Sequence, residues 1–87
     1  MATVQEVKAG LAGAAGEGNT AMAQIRGAAE ACDRMANQLR AVATGTNHPK
    51  VQEAIARTQI AKAKLAEAMA AAQAAGQAVN DYSAVLG

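Results

Sequence analysis

The sequence predicts an all-α protein, an antiparallel pair of long helices that completes its core by association. Three observations carry this expectation. Alanine, the best helix former, fills 26 of the 87 positions, while β-branched and aromatic strand formers are sparse. A single cluster of turn residues, Thr44-Gly45-Thr46-Asn47-His48-Pro49, divides the chain. On both sides of that cluster, uncharged residues recur at a seven-residue interval.

The first helix opens at a capping box. Thr3 is placed to cap it, with Glu6 reaching back to the Thr3 amide. It runs from about residue 4 to 43. Gly45 suits a left-handed residue just past the helix end. Residues 44–48 form the turn, and Pro49 suits the first turn of a second helix, with Asn47 or His48 as its cap. That helix continues to about residue 85. At 1.5 Å per residue each helix is roughly 55–60 Å long, and so short a turn between them predicts an antiparallel hairpin occupying residues 1–87 as one domain.

A seven-residue count from Val4 defines the expected seam, coiled-coil-like and rich in alanine. One core position holds Val4, Leu11, Gly18, Ile25, Cys32 and Leu39, then Val51, Thr58, Leu65, Ala72, Val79 and Leu86. The second holds Val7, Ala14, Ala21, Ala28, Met35 and Val42, then Ala54, Ala61, Ala68, Ala75 and Tyr82. None of the 23 is charged although 17% of the chain is, which random placement gives about one time in seventy. Such a seam brings the backbones close but buries little area per residue. A lone hairpin of this kind is marginal, and a second stripe of Met22, Ala29 and Ala36 with Ile55, Met69 and Gly76 is expected to face a partner, while Ile60 lies on yet another face. The expected assembly is a four-helix bundle, of two copies or with a related hairpin, or a larger helical assembly.

Gly10, Gly13, Gly16 and Gly18 strain this pattern, because each costs about 1 kcal/mol against alanine inside a helix. Three readings stay open: a continuous helix with close contacts or fraying, a groove for another helix along Gly10, Ala14 and Gly18, or a break near Gly16–Asn19. A nucleotide loop is excluded, since the run lacks a Gly-Lys-Ser/Thr ending and follows no strand.

Little in the chain points to chemistry. His48, the only histidine, reads as a cap or loop residue, and Cys32 as a small buried thiol at the seam. One His and one Cys build neither a zinc site nor a nucleophile pair. No carboxylate falls on the seam and no Glu-x-x-His element is present, so no metal, cofactor, catalytic residue or small-molecule substrate is expected. Arg26, Arg34 and Arg40, with Arg57, Lys62 and Lys64, read as solvated faces with ion pairs such as Glu30–Arg34. At net charge +1, without a dense basic stripe, nucleic acid is not an expected partner. Threonines at 3, 20, 44, 46 and 58 form no ice-binding array. The uncharged stretch Ala68–Asn80 is too short and too weakly apolar to cross a bilayer, and the first 20 residues lack the pattern of a cleaved signal peptide. The cytoplasm is the expected location, or export without a cleaved signal.

In length, in two long helices joined by a short Gly-containing turn, and in Tyr82 near the C-terminus, the chain resembles the Trp-X-Gly helical-hairpin proteins of type VII secretion. Its turn reads Thr44-Gly45-Thr46-Asn47 without a Trp, and Leu86 stands where that family's export signal has an acidic residue. It is also similar to short Ala- and Gln-rich hairpin proteins of unknown function from actinobacteria. The resemblance implies a non-catalytic assembly protein, exported as a folded dimer. A self-assembling filament or shell protein, or an adaptor or antitoxin-like partner in the cytosol, are the alternatives. The expected interface residues are Leu11, Ile25, Met35 and Leu39 on the first helix, and Ile55, Leu65, Met69 and Val79 on the second. Tyr82 and Leu86 form an expected C-terminal patch.

Overall fold

A computed structural model describes all residues, Met1–Gly87. Two helices, α1 (Val4–Ala43) and α2 (Pro49–Leu86), pack against each other as a hairpin, with no strand. The molecule is a rod, 63 × 18 × 14 Å.

Local chemistry explains the helix ends. Thr3 is extended, and its Oγ1 accepts the Glu6 amide at 3.1 Å. The reciprocal half of the expected capping box does not form: no hydrogen bond joins the Glu6 side chain to the Thr3 amide. At the far end of α1, the Thr44 amide donates to the Ala41 carbonyl and the Gly45 amide to the Val42 carbonyl, at 3.3 and 2.9 Å. The Thr44 hydroxyl adds a third bond, to the Ala41 carbonyl at 2.7 Å. These tightened bonds satisfy the Ala41 and Val42 carbonyls without a left-handed residue. Gly45 therefore does not adopt the positive φ expected of it; only Gly87 does. Between Asn47 and His48, the latter is the cap of α2: its Nδ1 accepts the Lys50 amide at 3.1 Å. Pro49 then occupies the first helical position, where its missing N–H has no partner to lose.

α1 runs unbroken through its glycines. A Cβ built on Gly10, Gly13, Gly16 or Gly18 would meet nothing within 4 Å. Within the hairpin they mark neither a helix break nor a close contact.

The register is antiparallel. Lys8 Nζ donates to the Gly87 carbonyl at 2.8 Å, and Lys62 Nζ to Asp33 Oδ1 at 2.6 Å. Residue numbers 8 and 87 total 95, as do 33 and 62, so residue n lies within about a turn of the level of residue 95 − n.

The seam differs from expectation in one respect. The first core position is as expected: Leu11, Gly18, Ile25, Cys32 and Leu39 are half-buried, as are Val51, Leu65, Ala72, Val79 and Leu86, and Thr58 is buried; only Val4 is exposed. The second core position is four residues after the first, not three. On α1 it holds Ala15, Met22, Ala29, Ala36 and Ala43, and on α2 Ile55, Met69, Gly76 and Ser83, all half-buried except Ala36, which is buried. The stripe expected to face a partner thus lies inside the hairpin. Most of the expected second position, Ala14, Met35, Val42, Ala61, Ala68, Ala75 and Tyr82, is exposed instead. The physical reason is visible at Lys8 and Lys62, which occupy the true second position. Their stems line the seam edge while their ammonium groups leave it, to the Gly87 carbonyl and to Asp33. A seam chosen for lacking charge excludes the register that contains them.

Candidate interaction surface

Two flanks run along the rod, one on each side of the seam. With about 100° between successive residues, positions one after the first core position fall on one flank and positions three after it on the other. The first flank is polar: Asn19, Arg26, Asp33 and Arg40 on α1, Gln59, Gln73 and Asn80 on α2. The second is uncharged along its shoulder: Ala14, Ala21, Ala28, Met35 and Val42 on α1, Ala61, Ala68, Ala75 and Tyr82 on α2.

Two grooves open along the seam, the first on the polar flank and the second lined from both flanks, by Asn19 and Gln73 on one side and Ala14 and Ala75 on the other. A groove of about 480 Å³ is floored by Ile25, Ala29, Leu65, Ala66 and Met69, with Arg26, Gln59 and Lys62 at its rim. A second, of about 580 Å³, lies where Gly18 and Gly76 leave the seam thin, beside Met22 and Val79. Neither holds a carboxylate, histidine or thiol, so neither assembles an acid–base or nucleophilic pair. A third, smaller hollow brings Cys32 near Asp33, Arg40 and Lys62. Cys32 is a half-buried free thiol.

The open flank carries large apolar side chains. Met35 and Val42 are each 53% exposed and Tyr82 is 50% exposed. Ile60 is 55% exposed and sits on the back of α2, away from the seam.

Of the ten expected interface residues, eight belong to the seam. Leu11, Ile25, Leu39, Leu65, Val79 and Leu86 hold its first position and Ile55 and Met69 its second, all half-buried. Ile25, Leu65 and Met69 meet in one groove. Met35 and Tyr82 lie outside, on the open flank. Val42, Ala61 and Ala68 join them there; sequence reasoning placed all three in the seam. The uncharged seven-residue repeat was the signal that marked them, assigned to the wrong side of the helix.

Charges are placed sparingly. Glu53 accepts from Lys50 Nζ at 2.8 Å and from Arg57, whose Nη2 lies 3.0 Å away. The Lys50 ammonium first, and the Arg57 guanidinium second, hold its carboxyl below the usual value. The expected Glu30–Arg34 pair does not form; the remaining ion pair, Asp33–Lys62, crosses between the helices. No group of three His, Cys, Asp or Glu is placed to hold a metal ion. Neither helix is long and apolar enough to cross a membrane. No known family model, curated protein or solved structure matches this chain.

Proposed function

We propose that this chain is a non-catalytic interaction protein that pairs with another helical hairpin, either a second copy or a related chain. One observation carries the reading. Only Ala36 and Thr58 are buried, and the hairpin exposes 6101 Å². A compact monomer of 8.7 kDa exposes about 4,700 Å². The surplus, about 1,400 Å² per chain, exceeds the roughly 800 Å² that each partner contributes to a standard interface. The setting we propose is type VII-like secretion, as a substrate or folded partner. Two long helices with a short turn support it.

Absolute mass by light scattering behind size exclusion, over a concentration series, tests the pairing. A helical species near twice 8.7 kDa supports it. A fully helical, cooperatively melting monomer at every concentration, alone or mixed with its genomic neighbours' products, refutes it. For the setting, the protein is expected in culture medium only while the secretion system's motor ATPase is present.

A further inference from the structure

We infer that the open flank is the surface on which a second copy of this chain docks, face to face, about a two-fold axis. This rests on the pairing reading above and adds which surface is used and by whom.

Three observations support it. The first is area. A face of 63 × 18 Å covers about 1,100 Å² in projection, close to the surplus of about 1,400 Å² that each chain exposes. Two such faces bury about 2,200 Å² together, within the range of obligate homodimers. The second is side-chain character. The shoulder of this flank is uncharged on both helices, whereas the polar flank presents Arg26, Asp33, Arg40 and Lys62. A two-fold contact brings a patch against itself, so a flank with charges at its centre is the poorer choice.

The third is shape. Each large residue on the open flank lies near the level of an alanine on the neighbouring helix. The 95 − n register puts Met35 near the level of Ala61 and Tyr82 near that of Ala14, within about a turn. A two-fold axis along the helices lays α1 over the partner's α2, so Met35 meets Ala61 and Tyr82 meets Ala14. An axis across the helices lays each helix over its own copy, so Tyr82 meets Ala61 and Met35 meets Ala14. Large falls on small in the first arrangement, which is the condition for native-like packing across an interface; in the second, the axis that sets Met35 on Ala14 also sets Val42 on Val7. Between them, Ala21, Ala28, Ala68 and Ala75 let the backbones approach closely.

The test is the double variant Ala61→Gln/Ala68→Gln against the control Ala56→Gln/Ala70→Gln. All four alanines are exposed, and glutamine is a good helix former, so neither pair of substitutions disturbs the hairpin. Circular dichroism checks this. Light scattering then reads the dimer dissociation constant. The open-flank variant is expected to raise it at least tenfold, and the control to leave it within about twofold. Tyr82→Ala, which removes a knob without adding bulk, is expected to weaken the dimer as well. If wild type is a helical monomer throughout, self-pairing and this docking surface both fail. If wild type is a dimer that the open-flank variants leave unchanged, pairing stands and the docking surface is overturned. A wild-type particle of many subunits overturns the two-fold contact, because such a contact closes after two copies.

Discussion

Gly16 is the position where the structure makes its sharpest commitment about α1. Four glycines within nine residues allow a helix break, yet α1 passes through all of them. Gly16 is exposed, has no positive φ, and leaves open space where a Cβ would sit. Its carbonyl accepts the Thr20 hydroxyl at 3.2 Å, a backbone contact that substitution leaves in place. Gly16→Ala therefore removes the glycine penalty and adds no clash, which raises stability by about 0.5–1 kcal/mol. In a domain of this size that is about 2–8 °C in Tm. Gly27 is equally exposed and equally open. It lies 11 residues away, about 16 Å along the helix, so the two substitutions add and the double variant gains about 4–16 °C. The assay is thermal melting by circular dichroism at one fixed protein concentration, because association makes Tm concentration-dependent. A fall in Tm or in helix content for Gly16→Ala refutes the continuous helix and places a break between Gly16 and Asn19. A fall for Gly27→Ala alone means that another backbone approaches there.

Three further substitutions test the seam and the turn. Val79→Asp sets a carboxylate in the seam beside a groove with no cation in its lining, and it is expected to cost about 2 kcal/mol or more, abolishing a cooperative melt. Leu65→Asp is expected to be milder in the same melt, because Arg26 and Lys62 line the groove that receives it; equal losses would mean those cations do not reach it. His48→Ala removes the α2 cap and is expected to cost about 1 kcal/mol, while His48→Asn restores it; denaturant titration reads both, and an unchanged alanine variant would show that the cap contributes nothing. Gly45→Ala is expected to be neutral or to gain about 0.4–1 kcal/mol by the same titration, since its φ is not positive and a Cβ there would sit 3.6 Å from the Val42 carbonyl oxygen, an ordinary contact. A loss above 1 kcal/mol would restore the left-handed turn.

The fold was legible because its signals are local. Thr3, His48 and Pro49 each act within one turn of a helix end, and the structure places both helix starts where those residues predict. Gly45 misled because two solutions compete at a helix end. A left-handed glycine satisfies terminal carbonyls, and so do short-range bonds from Thr44 and Gly45, with the Thr44 hydroxyl sharing the work. The seam was half legible for a different reason. Its first position is apolar or small throughout and stands out in sequence. The second contains Lys8 and Lys62, and lysine at a seam edge buries a stem that no charge count reveals. Excluding charge moved the second position by one residue, and one residue on a helix is about 100°, enough to exchange a buried stripe for an open one.

That exchange bears on what the open flank is for. Alanine on an exposed helix face explains itself, because it is the best helix former and needs no partner. Ala61, Ala68 and Ala75 alone would therefore argue nothing. Met35, Val42 and Tyr82 are different. All three are poorer helix formers than alanine, and each stands half-exposed to water. The polar flank shows what the same chain does where a surface faces solvent: at matching intervals it places Asn19, Arg26, Asp33 and Arg40. Composition is shared by the two flanks and cannot account for the difference between them. An uncharged shoulder with large residues set near alanines is what the proposed docking of a second copy requires, on a flank that the hairpin by itself leaves exposed.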